Sequence, residues 1–298
     1  MRKRSFLGIA ALVACALALH AQAGAPVTQT YVQSYDWQAA DPAFGGVSAL
    51  ELDADGLGFT ALSDRSSLYF GRLERGADGI ITGIADLTQH PLRGASGLPL
   101  DADHDDSEGL AIAPDGRIFI SQEGPARVLM MSSRDASVQV LPVSPAFAMM
   151  QKNAALEALA IDAAGALYTL PERSGDLDRP FPVYRFARGN WTQPFDIPRD
   201  GDYLPTAADF GPDGRFYVLE RNFQGISGFQ SRVRRFVISG DSADGGETVL
   251  ETYLGQHGNL EGLSVWRDAT GALRLTMVSD DNFHFFLRTT LVEYTVAD

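Results

Sequence analysis

Ser107-Glu108-Gly109-Leu110-Ala111-Ile112-Ala113-Pro114-Asp115-Gly116-Arg117-Ile118-Phe119-Ile120-Ser121-Gln122-Glu123-Gly124 reads as a β-hairpin. Leu110, Ile112, Ile118 and Ile120 alternate with small or polar residues, the period of a strand with two unlike faces. Pro114-Asp115-Gly116 between the halves supplies a tight turn. The same plan recurs in four other places. It runs from Gly46-Val47-Ser48-Ala49-Leu50 to Ser63-Asp64-Arg65, and from Leu156-Glu157-Ala158-Leu159-Ala160 to Pro171-Glu172-Arg173. It runs again from Thr206-Ala207-Ala208 to Leu219-Glu220-Arg221, and from Leu260-Glu261-Gly262-Leu263-Ser264 to Ser279-Asp280-Asp281. The acids that end the copies, at 64, 123, 172, 220 and 280, are spaced by 59, 49, 48 and 60 residues. Two intervals are nearly equal and two are about ten longer, the effect of loop insertions on a repeat.

Further short apolar runs, such as Val128-Leu129-Met130 and Val183-Tyr184-Arg185-Phe186, lie between copies, and no capped amphipathic helix stands out. Four strands per unit of ~50 residues predict an all-β fold, a β-propeller of four-stranded antiparallel blades. Six blades are expected. The stretches Tyr31–Tyr35 and Leu291–Val296 would share one of them and close the ring with the two termini. A β-sandwich or a pair of smaller β-domains is the alternative.

The first residues are set apart from this fold. Arg2-Lys3-Arg4, the apolar run Phe6–Leu19 and Ala21-Gln22-Ala23 have the three-part form of an export signal, so residues 1–23 read as a signal peptide and 24–298 as the propeller domain. Leu12-Val13-Ala14-Cys15 also resembles a lipoprotein box, yet the apolar run continues past Cys15, so periplasmic or secreted release is the expectation. The whole chain of 298 residues carries a net charge of −14, and the part after residue 23 carries −17 and no cysteine. An acid excess this large argues against nucleic acid as a partner. Any metal must be held by oxygen or imidazole. No second apolar run approaches membrane-spanning length, and a monomer is expected.

The chemistry lies in where the repeat places its acids. A hairpin brings its two ends together, so Glu108 and Glu123 reach the same rim. Glu108, Glu157 and Glu261 would form one partial ring around a common axis, and Asp64, Glu123, Glu172, Glu220 and Asp280 a second. Crowded carboxylates raise one another's pKa values unless a positive charge offsets them, and a hard cation such as Ca²⁺ takes six to eight oxygens. Arg65, Arg173 and Arg221 each follow an acid directly. Neighbours on a strand face opposite ways, so these arginines either pair between blades or sit in loops facing a ligand. Asp101-x-Asp103-x-Asp105 imitates the start of an EF-hand loop, but Asp106 replaces the turn glycine and Ile112 the bidentate Glu, so this reads as a solvated acidic loop. His104 and His257 precede Glu108 and Glu261 and approach the same rim as candidate bases or ligands. No G-x-S-x-G elbow, H-E-x-x-H, P-loop or G-x-G-x-x-G is present.

Phe44-Gly45-Gly46-Val47-Ser48-Ala49-Leu50 with Ser63-Asp64-Arg65 resembles the opening of the phytase-like (esterase-like activity of phytase) family of exported bacterial proteins. Asp106-Ser107-Glu108-Gly109-Leu110-Ala111 with Pro114-Asp115-Gly116 and Glu123-Gly124-Pro125 resembles its second signature. Asn153 with Leu156–Ala160, then Leu219-Glu220-Arg221 and Ser279-Asp280-Asp281-Asn282-Phe283, continue the match to the C-terminus, with Ala158 standing where the family often has Gly. The resemblance implies a hydrolase of phosphate or other esters. Asp64, Glu108, Glu157, Glu172, Glu261 and Asp280 would hold Ca²⁺, and Glu108, Glu123 or His104 would handle the proton of an attacking water. Arg65, Arg173, Glu220, Arg221, Asp281 and Asn282 would contact a small ester or phosphoester. Two other readings stay open at this point: a Ca²⁺-dependent lactonase similar to the gluconolactonase-type propellers, and a non-catalytic propeller that binds a ligand or protein.

Overall fold

The computed structural model describes residues 29–41, 44–101, 106–151, 154–284 and 287–298. The signal-peptide assignment, Cys15, His104 and Asn153 lie outside these residues. The chain is all-β, with five four-stranded antiparallel sheets. Strand β1 (Gln29–Asp36) leads into the first blade, β2 (Val47–Leu52), β3 (Gly58–Ser63), β4 (Ser67–Arg75) and β5 (Ile81–Pro91). The second is β6 (Ser107–Ile112), β7 (Ile118–Gln122), β8 (Arg127–Met131) and β9 (Gln139–Val140). The third is β10 (Leu156–Ile161), β11 (Leu167–Pro171), β12 (Phe181–Ala187) and β13 (Asn190–Ile197). The fourth is β14 (Leu204–Phe210), β15 (Phe216–Phe223), β16 (Phe229–Ser239) and β17 (Ser242–Glu251). The fifth joins β18 (Asn259–Arg267), β19 (Leu273–Asp280) and β20 (Thr290–Val296) to β1, in the order β1-β20-β19-β18.

The expected pairing of the two termini is present, with Tyr35 opposite Leu291 and Tyr31 opposite Tyr294. The blade number is corrected from six to five. The terminal strands complete the fifth blade instead of forming a sixth, and the longer repeat intervals are absorbed by outer strands, including the 11-residue β5 and β16. Five apolar clusters explain the closure, since each lies between two successive blades. Leu62 and Leu68 meet Leu110 and Ile120 between the first and second. Trp37, Val47 and Phe59 meet Val278 and Leu291 between the first and fifth. Every blade thus buries both faces against a neighbour, and hydrophobic burial supplies the main driving force for ring closure.

The Glu-Gly-Leu signature has a packing reason. A Cβ at Gly109 would lie 2.6 Å from the Glu157 carbonyl oxygen, and one at Gly262 would lie 2.8 Å from the Leu50 nitrogen. The backbones of neighbouring inner strands come too close there for a side chain. At Ala158 the methyl group is accommodated and fully buried. Among the described residues no helix is long and apolar enough to cross a membrane.

Candidate functional site

All five inner strands, β2, β6, β10, β14 and β18, carry a β-bulge at one equivalent position. Ser48, Glu157, Thr206 and Glu261 are the extra residues in their strands, and Glu108 with Gly109 opposes the single Ser121. A bulge re-aims the side chain it carries. Here it sets Glu108, Glu157 and Glu261 at one height around the axis. The two non-acidic members tie blades together: Ser48 Oγ donates to the Ser107 carbonyl at 2.8 Å, and Thr206 Oγ1 to the Leu260 carbonyl at 3.2 Å.

The second ring follows from the same registers. Val47 pairs with Ser63, Ser107 with Gln122, Leu156 with Pro171, Pro205 with Glu220, and Leu260 with Ser279. The next residues in chain order are Asp64, Glu123, Glu172, Arg221 and Asp280. Arg221, not Glu220, therefore holds the fourth position, which corrects the expected ring. Glu220 is fully buried beside it in the sheet, accepting from Arg232 Nε at 2.6 Å and Arg234 Nε at 2.9 Å. Arg221 and Arg232 occupy opposite sides of this blade, as alternation along β15 requires. Counting seven residues from the turn glycine, as for Gly116 to Glu123 and Gly165 to Glu172, lands on Arg221 from Gly214.

Arg221 reaches across two blades. Its guanidinium donates to Glu261 Oε1 and Asn259 Oδ1, and to Glu172 Oε1 at 3.1 Å. Burial opposes its charge, but Glu261, Glu157 and Glu172 more than offset this and hold it firmly cationic. Glu172 and Glu261 are thereby paired. Asp106, Glu108 and Glu123 form a different group, each placing one carboxylate oxygen within 4.8 Å of the others. Among the described residues neither Glu108 nor Glu123 has a guanidinium within ion-pair distance. Glu123 Oε1 accepts from the Ala155 nitrogen at 3.0 Å, and burial with the Glu123 charge raises the neighbouring Glu157.

Burial first, then neighbouring carboxylates, pushes Glu108 and Glu157 well above the usual carboxyl range. Burial lifts Asp64 to about 6, Glu123 to about 7 and Asp280 to about 8, with other acids adding to the rise in each case. Near neutral pH Glu108, Glu157 and Asp280 hold protons unless a cation joins them, Glu123 is in mid-titration, and Asp64 is largely ionised. Asp106, Glu108 and Glu123 offer a partly buried all-oxygen donor set that fits a hard divalent ion. Asp106 escaped the sequence reading because it closes an acidic run that looks like a solvated loop.

The remaining candidates surround this centre. The Arg65 guanidinium lies 3.4 Å above the Phe283 ring, and Arg173 stands half-exposed with Nε 3.4 Å from Glu172. Asp281 Oδ1 accepts from the Gly46 nitrogen at 2.9 Å and the Phe283 nitrogen at 3.0 Å, so it holds the last loop against the first blade. Asp280 Oδ1 accepts from the Asn282 nitrogen at 2.8 Å, and Asn282 lines a groove at the rim. His257 does not reach the acids: its Nε2 lies 2.8 Å from the Tyr294 hydroxyl, and its ring stacks on Tyr31.

A second cavity, of about 740 Å³, opens at the turn end of the inner hairpins, lined by Glu51, Asp209, Tyr168, Phe210 and Trp266. Burial raises Asp209 to about 7, although the Val265 nitrogen donates to its Oδ2 at 2.7 Å, and burial with the Asp209 charge raises Glu51. The folded protein therefore keeps protons here that the unfolded chain releases at lower pH. The stability this confers is full below the ordinary carboxyl pKa and is lost as pH rises through about 7 for Asp209. Asp209→Asn retains an acceptor for Val265 and removes the charge. Its Tm is expected to exceed that of the wild type at pH 8.5 and to match it near pH 4, read by thermal melts across that range. A wild-type advantage that grows with pH would contradict this assignment.

Fold and rim together define a five-bladed β-propeller with a carboxylate-rich channel mouth. The chain matches the family described as "Phytase-like: Esterase-like activity of phytase" over residues 42–283, and it belongs to that family. No curated protein matches the sequence. Among solved structures it is similar to the α-L-arabinofuranosidase PaAbf62A of Podospora anserina in complex with cellotriose. That match has a TM-score of 0.53 and 11% identity and covers 91% of this chain and 96% of that one. The PQQ-bound aldose sugar dehydrogenase of Streptomyces coelicolor gives a TM-score of 0.48 at 12% identity, covering 91% and 99%. A selenomethionine-substituted virginiamycin B lyase of Staphylococcus aureus gives 0.43 at 12%, covering 85% and 71%. At these identities the likeness concerns the fold alone.

Proposed function

We propose that this protein is an exported, metal-dependent hydrolase of phosphate or other esters, working at the carboxylate-rich mouth of the channel. The observation that carries the reading is the convergence of Asp106, Glu108 and Glu123, each with a carboxylate oxygen within 4.8 Å of the others, beside Glu157, whose carboxyl burial and the Glu123 charge push up. Asp106, Glu108 and Glu123 would hold the ion, with Asp64 on the adjoining first blade and Asp280 on the fifth blade beyond it. A bound divalent cation supplies a Lewis acid for the ester oxygen and lowers the pKa of water. Glu157, buried beside Glu123, is placed to take a proton from the attacking water and return it to the leaving group. Arg173 and Arg65 stand at the mouth, where guanidinium groups orient an anionic or carbonyl oxygen. Arg221 pairs with Glu172 and Glu261 and fixes them, so they shape the site without competing for the ion. Export is supported by the basic, apolar and small-residue pattern of residues 1–23.

The test is turnover of p-nitrophenyl acetate and of bis(p-nitrophenyl) phosphate by the chain from Gly24 onward. Activity with Ca²⁺ that falls at least 100-fold in excess chelator, and returns on readdition, supports the reading. Turnover indifferent to chelator, or absent with Ca²⁺, Mg²⁺ and Mn²⁺ alike, overturns it.

A further inference from the structure

One blade differs from the others at the rim. In the first, second and fifth blades the second strand stops pairing with the third at Ser63, Gln122 and Ser279, level with the acid ring. In the fourth blade the pairing of β15 with β16 continues past Arg221 to Phe223 opposite Phe229. This raised hairpin ends in a short 3-10 turn, Gly225–Ser227, and stands over the mouth of the site. Three of its side chains, Phe223, Ile226 and Phe229, are large and apolar. Phe223 is 63% exposed, Ile226 is wholly exposed, and the Phe223 and Phe229 rings lie 4.9 Å apart.

A groove of about 690 Å³ runs along the hairpin, with Leu204, Phe223, Ile226 and Phe229 on its apolar side and Arg221 with Glu172 at its polar end. The polar end of the groove thus adjoins the carboxylate site, since Glu172, Glu261 and Arg221 at that end act electrostatically on Glu157. The charges lining the groove cancel, because Arg173 and Arg221 stand against Glu172 and Glu261. An occupant that continues from the site into this groove meets no net charge and a row of large apolar side chains. Exposed apolar surface beside a polar pocket is the form of a ligand site with one anchored head and one greasy arm.

We propose that the groove seats the alkyl or aryl arm of an amphiphilic ester whose ester group lies at the carboxylate site. This rests on the hydrolase reading above and narrows its substrate class. Small hydrophilic phosphate esters leave Phe223, Ile226 and Phe229 in water, whereas a medium-length alkyl or aryl ester covers them.

The test uses ethylphosphonate and octylphosphonate, which carry no hydrolysable ester, titrated calorimetrically into the chain from Gly24 onward in millimolar Ca²⁺. Each methylene fully removed from water is worth about fourfold in affinity. An open groove covers only part of the chain, so octylphosphonate is expected to bind at least about tenfold more tightly. Replacing both Phe223→Ser and Ile226→Ser is expected to bring that preference to within about twofold. Equal affinities in the wild type, no binding of either probe, or a preference that survives both substitutions would overturn the proposal. So would a dimer in sedimentation velocity that the double substitution returns to monomer, since the hairpin would then belong to a second copy. Ester turnover without a chain-length preference leaves the hydrolase standing and removes the arm site. A length preference in binding without turnover does the reverse.

Discussion

In Glu108→Gln the rise in Tm that millimolar Ca²⁺ gives the wild type is expected to disappear. A ligand that binds only the folded state at 100 times its Kd adds about 2.7 kcal/mol, which for a domain of this size is a shift of roughly 5–10 °C. Glu108 is the right residue to change because it lies at the centre of the acids. It shares the oxygen cluster with Asp106 and Glu123 and feels the charges of Glu157 and Glu261 from two further blades. Glutamine retains the shape and one acceptor oxygen but cannot supply the charge a hard ion requires. The variant also carries its own control. Without metal, removing a carboxyl that burial and like charges hold in its protonated form should leave the Tm at pH 8 equal to or above that of the wild type. A variant that is stable and still responds fully to Ca²⁺ would place the ion elsewhere.

Glu220→Ala is expected to cost about 3–5 kcal/mol, the largest loss of stability from any single substitution considered, with no involvement of metal. Glu220 is fully buried and accepts from Arg232 and Arg234, both of which are themselves buried. Removing it strands two guanidinium groups in the fourth blade, where the exposed Asp200 helps Arg232 through its carboxylate at 2.9 Å and its carbonyl at 2.6 Å. Breaking a buried pair costs far more than forming one returns, because the remaining charges cannot recover their water. Urea denaturation of Glu220→Ala against the wild type measures the loss, and Glu220→Gln should recover part of it. A change under about 1 kcal/mol, or a selective loss of ester turnover at unchanged stability, would return Glu220 to the substrate side.

These two acids separate what was readable along the chain from what was not. The hairpin repeat was readable because strand alternation and a glycine turn are local. The turn glycines Gly56, Gly116, Gly165, Gly214 and Gly271 all adopt positive φ, which side chains other than glycine rarely tolerate. The Glu-Gly-Leu and Asp-Asp-Asn-Phe signatures were visible for a similar reason. Gly109 faces a neighbouring backbone, and Asp281 ties two loops by backbone N–H groups, so each constraint is written in one residue.

The blade number was not written in this way. Interval lengths count residues but do not say whether extra ones extend an outer strand or start another blade. Here the 11-residue β5 and β16 took up length that had suggested a sixth unit. The exchange of Arg221 for Glu220 was visible only when the register was counted from Gly214, because the bulge in each inner strand shifts which residue reaches the mouth. Asp106 and the raised Phe223–Phe229 hairpin were hidden for a further reason. Their meaning depends on neighbours contributed by other strands and blades.

The amino-acid sequence by itself determined the all-β repeat, the family and the set of acids gathered at one rim, since these follow from local periodicity and from equivalence between copies. Tertiary structure alone decided the closure at five blades, the separation of the carboxylates held by Arg221 from the Asp106, Glu108 and Glu123 group, and the apolar groove beside them. Those depend on distances between groups far apart in the chain, 260 residues between the hydrogen-bonded Gln33 and Glu293, and on burial, which no single segment controls.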